Sequence, residues 1–131
     1  MKILISFFSL IFFIFSNPAN SNEKLINSLK EGGKLIFIRH AYAPGNGDPE
    51  NFSLKDCTSQ RNLSQKGIDQ SKEIGLFFTK NKIPIDKVLS SEWCRCKETA
   101  KYAFNNFETF DALNSFYDIR FEKNKITYHL D

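Results

Sequence analysis

The stretch that decides the fold is Lys34-Leu35-Ile36-Phe37-Ile38-Arg39-His40-Ala41. Four apolar residues in a row are typical of a parallel strand that helices cover on both faces. An arginine and a histidine follow at the carboxyl end of this predicted strand, where open parallel sheets bind their ligands. Arg39 and His40 are therefore either a solvated strand end or two members of a binding site.

The sequence around this stretch predicts alternating helices and strands. In chain order the predictions are a helix over residues 22–30, a strand over 34–39, a loop over 41–62, a helix opened by 63–67, a strand over 87–90 and a helix over about 94–104. Gly32 and Gly33 end the first helix, and Ser64 is the N-cap of the second. This βαβα order favours an α/β fold with a mainly parallel sheet.

The length and net charge of the chain limit the classes of protein to which it can belong. The chain has 131 residues, enough for one domain, and a net charge of +3 that no cluster of basic residues explains. This charge gives no indication of nucleic acid as a partner. Residues 1–21 carry Lys2, an apolar run and then Ala19-Asn20-Ser21, a pattern typical of a cleaved signal peptide. We expect a domain over residues 22–131 that is periplasmic or secreted and leaves the membrane after cleavage; an uncleaved anchor is the alternative.

Export would place the three cysteines in an oxidising compartment. Their odd number fits one disulfide and one free thiol. Cys57 paired with Cys94, or with Cys96, would tie the 41–62 loop to the start of the third predicted helix. Three reduced thiols are the alternative. A metal site is not predicted, because few further ligands lie nearby.

Arg95 falls in the first turn of the third predicted helix, just after the second strand ends. Arg39, His40 and Arg95 should therefore meet at one edge of the sheet. A neutral histidine between arginines suits phosphoryl transfer, because the imidazole attacks phosphorus while guanidinium forks hold the phosphoryl oxygens. The first N–H groups of that helix would add to the anion site, and no metal or other cofactor is required. Arg61, near the end of the loop, is either a pocket cation or a surface charge.

Three motifs resemble the signatures of the histidine phosphatase superfamily, which includes the phosphoglycerate mutases. They are Ile38-Arg39-His40-Ala41, Leu63-Ser64-x-x-Gly67 and Ser90-Ser91-x-x-x-Arg95-x-x-x-Thr99-Ala100. The resemblance covers about residues 34–103 and implies a three-layer α/β/α fold with a phosphohistidine intermediate on His40. It also implies that Arg39 and Arg95 bind phosphate, and that Asn46 matches a phosphate-contacting asparagine of the mutase branch.

The chain departs from the family pattern in several places. Ala41 replaces the usual glycine. The family's second histidine follows a later strand, and His129 is the one remaining histidine. The alternative is a surface His129 in a chain incomplete at its C-terminus. Glu92 and Glu122 are the candidates for the general acid, or else solvated surface charges.

These observations predict an exported phosphomonoesterase that acts on a small-molecule phosphoester through His40. The alternatives are a catalytically silent phosphate-binding domain and an inactive fragment that lacks the second histidine. Mutase activity ranks below hydrolysis, because sugar phosphate intermediates are cytoplasmic. The sequence does not indicate the substrate or the oligomeric state.

Overall fold

The computed structural model describes residues 19–115 of the chain. This part contains three α-helices, two single-turn 3-10 helices and a two-stranded parallel sheet. The elements are α1 (Ala19–Lys30), a 3-10 helix at Cys57–Ser59, α2 (Gln65–Lys80), β1 (Leu89–Ser90), α3 (Cys94–Phe104), β2 (Glu108–Thr109) and a 3-10 helix at Asp111–Leu113. None of the helices within this range is long and apolar enough to cross a membrane.

Helix α1 starts three residues before its predicted beginning, so it includes the three residues that the sequence pattern assigns to signal cleavage. Gly32 and Gly33 end it with φ values of +71° and +66°, a left-handed conformation that favours glycine. Residues 1–18, which carry the rest of the predicted signal peptide, lie outside the described range. Export therefore stays a prediction.

Helix α2 confirms the predicted N-cap, because the Ser64 side chain accepts a hydrogen bond from the N–H of Gly67. Its buried face carries Ser71, Gly75 and Phe78 at helical spacing. At Gly75 a side chain has no room, because its Cβ would meet the backbone of Ala103 in α3. The two helices therefore pack backbone to backbone along this face.

Helix α3 has the predicted limits and connects the two strands. β1 pairs in parallel with β2, with Leu89 opposite Glu108 and Ser90 opposite Thr109. The β1–α3–β2 unit places the N-terminus of α3 directly after the carboxyl end of β1. β2 was not predicted, because a two-residue strand shows no periodicity.

The buried strand predicted over residues 34–39 is wrong in the described structure. Leu35 and Phe37 are 88% and 84% exposed, and Ile36 and Ile38 are 45% and 42% exposed. A β-strand is defined by backbone hydrogen bonds to a neighbouring strand. The backbone of residues 34–39 makes no hydrogen bond with any described residue. The three-layer α/β/α arrangement consequently stays a prediction.

The loop over residues 41–62 packs on the N-terminal ends of α2 and α3. A disulfide joins Cys57 to Cys94, one of the pairings that the sequence left open, and Cys96 is the free cysteine. Beside the disulfide, the rings of Phe52 and Trp93 lie 4.5 Å apart. The covalent bond and the ring contact hold this loop where β1 ends.

Candidate functional site

His40 is half-buried and its ring is held in one orientation. Nδ1 lies 2.7 Å from the carbonyl oxygen of Ala41. A carbonyl oxygen only accepts, so Nδ1 must carry the proton of this hydrogen bond. In the neutral imidazole the available lone pair is then on Nε2.

The surroundings of His40 favour this neutral form. Burial lowers the pKa of His40 below its ordinary value, and the positive charges of Arg95, Arg61 and Arg39 lower it further. The hydrogen bond to Ala41 opposes these effects without reversing them. The fold therefore brings together the histidine and the three arginines that the sequence singled out.

Two of the quoted motifs hold the chain immediately after His40. The Ala41 N–H donates to Thr99 Oγ1 at 2.9 Å, and the same hydroxyl donates to the carbonyl oxygen of Arg95 at 2.7 Å. One residue further on, the Tyr42 carbonyl oxygen accepts from the N–H of Ser64 at 3.2 Å. The starts of α2 and α3 thus fix the backbone beside His40.

Gly67 explains the spacing of the Leu-Ser-x-x-Gly motif. A Cβ at this position would lie 3.0 Å from the Tyr42 carbonyl carbon and closer still to its oxygen. Only glycine allows the first turn of α2 to approach Tyr42 this closely. The motif is therefore a packing requirement two residues from His40.

Arg95 is buried in the first turn of α3 and pairs with a residue that the sequence analysis missed. Its Nη1 donates to Asp48 Oδ1 at 3.0 Å and Oδ2 at 2.9 Å, with the Arg95 and Asp48 side chains 10% and 5% exposed. The guanidinium carbon also lies 4.6 Å from the centre of the Trp93 ring. Asp48 stands in an irregular loop 47 residues before Arg95, so no local pattern indicates the pair.

Arg61 is part of the loop framework as well as a source of charge. Its Nη1 donates to the Ala43 carbonyl oxygen at 2.6 Å and its Nε to that of Gly47 at 2.9 Å. Its backbone N–H donates to Asp48 Oδ1 at 2.8 Å. Neither alternative from the sequence describes it fully, because its charge acts on His40 while its guanidinium fastens the loop.

The remaining predicted phosphate ligands differ in their surroundings. Arg39 is exposed at the end of the unpaired segment, close enough for its charge to act on His40. Asn46 is exposed in the loop and makes no hydrogen bond to any residue in the described range. Nothing in the geometry of Asn46 marks it as a ligand.

Gln60 is a second residue that the sequence analysis missed. It is buried, and its Oε1 accepts from the N–H of Cys94 while its Nε2 donates to the Ser53 carbonyl oxygen. The N–H of Cys96 donates to the Trp93 carbonyl oxygen. Two of the first three N–H groups of α3 therefore already have acceptors, whereas the N–H of Arg95 has none among the described residues. The contribution of this helix start to an anion site stays a prediction.

Glu92, one candidate for the general acid, is bound to Asn114. Its backbone N–H donates to Asn114 Oδ1 at 2.9 Å, and its Oε2 accepts from Asn114 Nδ2 at 2.7 Å. This reciprocal pair ties the end of β1 to the segment after β2. Glu122 and His129, the other predicted residues, lie outside the described range.

Other features of residues 19–115 give no further indication of the chemistry. This range contains no group of three or more His, Cys, Asp or Glu residues that could hold a metal ion. A cavity of about 520 Å³ lies between α2, α3 and the sheet, and its lining includes Phe78, Ile83 and Phe104 but none of the candidate site residues. Comparison of the chain with protein-family models, curated proteins and solved structures finds no match.

Proposed function

We propose that the protein is an exported phosphomonoesterase that transfers the phosphoryl group of a small phosphoester first to His40 and then to water. The observation that carries this proposal is the state of His40. Its Nδ1 is hydrogen-bonded to the Ala41 carbonyl oxygen, which leaves the lone pair of the neutral ring on Nε2. Burial and the charges of three guanidinium groups lower its pKa. A neutral nucleophile surrounded by cations suits an electrophile that carries negative charge.

Two displacement steps follow from this arrangement. In the first, the Nε2 lone pair of His40 attacks phosphorus, an N–P bond forms, and the P–O bond to the alcohol breaks. The alcohol oxygen departs with the bonding electrons and takes up a proton. In the second, water attacks the phosphohistidine, the N–P bond breaks, and inorganic phosphate leaves with neutral His40 restored. The guanidinium groups stabilise the charge on the phosphoryl oxygens in both steps.

The second candidate function is a phosphate-binding domain without turnover. The observation that favours it is the Glu92–Asn114 pair, which engages the carboxylate that would protonate a departing alcohol. A poor leaving group needs such an acid, whereas an aryl oxide leaves without one. An aryl phosphate is therefore the substrate that tests His40 separately from the general acid.

The deciding experiment is hydrolysis of an aryl phosphate by the purified protein, beside its His40→Ala variant. We expect turnover in the wild-type protein and a loss of about 10³-fold or more in the variant, since the nucleophile is removed. A ³¹P signal from phosphohistidine in quenched wild-type protein, missing in the variant, gives a second measurement. Unchanged turnover by the His40→Ala variant would refute the proposal.

Two further results separate the alternatives. Saturable binding of inorganic phosphate without any turnover would favour the silent binding domain. A His129→Ala variant asks separately about the second histidine of the family pattern. Parallel loss of activity would assign that role to His129, whereas retained activity would make it a surface residue.

A further inference from the structure

The Asp48–Arg95 pair has an unusual geometry for an arginine and a carboxylate. Every hydrogen bond that the guanidinium makes within residues 19–115 leaves from Nη1, which donates to both oxygens of Asp48 and to the Arg61 carbonyl oxygen at 3.5 Å. A fork-to-fork pair would instead use two nitrogens of the guanidinium. Asp48 thus holds the Arg95 guanidinium through a single nitrogen, Nη1.

The opposite edge of the Arg95 guanidinium meets no acceptor in the described part of the chain. Nε is buried, and neither Nε nor Nη2 has a hydrogen-bond acceptor among these residues. The N–H bonds of Nε and Nη2 point in parallel from one edge of the plane, which is the fork that binds two phosphoryl oxygens. A buried donor without an acceptor is costly, so this edge suits a ligand that supplies the missing oxygens.

Asp48 also connects Arg95 in α3 to Arg61 in the 41–62 loop. Its Oδ1 accepts from the backbone N–H of Arg61 at 2.8 Å, while the Arg61 side chain fastens the loop through two carbonyl oxygens. One carboxylate, 5% exposed, therefore sets the position of two cations that act on His40. Trp93, stacked on the guanidinium, closes the face of Arg95.

We propose that Asp48 is a positioning residue: it holds Arg95 through Nη1 so that the Nε and Nη2 edge meets two oxygens of the substrate's phosphoryl group. This inference rests on the proposed function. Asp48 itself does not contact the substrate. The competing interpretation is that Asp48 occupies the anion site and phosphate must displace it, and the two interpretations predict opposite effects of removing its charge.

The test is an Asp48→Asn variant, which keeps the shape of the side chain and removes one negative charge beside the site. If Asp48 positions Arg95, affinity for inorganic phosphate should fall by about tenfold or more, although the site has become more positive. KM for an aryl phosphate should rise in parallel. Binding is measured by titration calorimetry and by the fluorescence of Trp93, which is the chain's one tryptophan and lies against Arg95.

Two further variants make this result specific. Glu73→Gln, which removes an exposed carboxylate from α2, is the matched control and should bind phosphate as the wild type does. Arg95→Lys keeps the charge but lacks the second N–H edge, so its affinity for inorganic phosphate should fall by a similar factor. In the Arg95→Lys protein, adding Asp48→Asn should lower the affinity for phosphate only a little further. Both changes remove the same feature, the guanidinium edge that Asp48 holds in place.

The outcomes distinguish this inference from the function beneath it. Unchanged or tighter phosphate binding by Asp48→Asn, in a protein whose turnover still depends on His40, overturns the role of Asp48 alone. Independent, additive losses in the double variant also overturn it. A wild-type protein that neither binds phosphate nor shows His40-dependent turnover overturns the proposed function, and the inference with it.

Discussion

Removing the Cys57–Cys94 disulfide should weaken the fold and the site together. The perturbation is a double variant, Cys57→Ala with Cys94→Ala. The disulfide closes a loop with a sequence separation of 37. The chain-entropy relation for a loop of this length gives about 4 kcal/mol of stabilisation. The free energy of unfolding of a small domain is only about 5–15 kcal/mol, so the disulfide supplies a large share of it.

The assay is urea unfolding followed by Trp93 fluorescence, with and without a dithiol reductant. With a slope of about 2 kcal/mol per molar urea, we expect the midpoint to fall by about 2 M. Cys96→Ser is the matched control, because Cys96 is the free cysteine, and its midpoint should change little. Activity measured where the double variant is still folded should also fall, since the disulfide anchors the loop of Asp48 and Arg61 beside Arg95. Equal midpoints for oxidised and reduced wild-type protein would refute this reasoning.

Two other predictions follow from the backbone contacts and the charges around His40. Gly67→Ala gains about 1 kcal/mol in helix propensity, but the clash with Tyr42 should outweigh it and lower the free energy of unfolding by about 2 kcal/mol net. Activity should fall as well, whereas Gly75→Ala, which clashes with Ala103, should lower stability with a smaller loss of kcat/KM. The pKa of His40, followed by proton NMR, should lie below about 6.5 and rise in Arg39→Gln, because one repelling charge is removed. The unfolded state then binds a proton more readily than the folded state, so stability should decrease as pH falls through the window below about 6.5, and His40→Gln should remove this slope.

Each of these two predictions has a clear contrary result. A stabilised and fully active Gly67→Ala protein would mean that helix propensity outweighs the contact with Tyr42. A His40 pKa at or above its ordinary value would mean that burial and the arginine charges do not keep the imidazole neutral, and a pKa that does not respond to Arg39→Gln would mean that the charge of Arg39 does not act on it.

The sequence predicted those elements whose signals are local. The Ser64 cap, the glycines after α1 and the limits of α3 depend on residues within one or two turns, and the structure has them where they were expected. In these cases the chain's nearest neighbours carry the information. The order of the predicted elements also grouped His40 with Arg39 and Arg95, but it left Arg61 as either a pocket cation or a surface charge.

Other features depend on partners that lie far away in the chain. Asp48 and Gln60 stand in an irregular loop, and their partners in α3 lie 47 and 34 residues further on. Neither residue has a periodic or capping signal. The apolar run over residues 34–39 shows a preference for burial, but it cannot show which strand would pair with it. The wrong strand prediction has this physical cause.

The exposed apolar segment at residues 35–38, just before His40, has a consequence for self-association of the protein in solution. Leu35, Ile36, Phe37 and Ile38 combine high β-propensity with no charge and no proline. Such an exposed segment, with backbone groups free of hydrogen bonds to the described residues, is a template for association between molecules. Because His40 follows two residues later, association through this segment would crowd its imidazole. For the phosphomonoesterase proposed above, we expect specific activity to fall as protein concentration rises, so that dilute samples give the highest value.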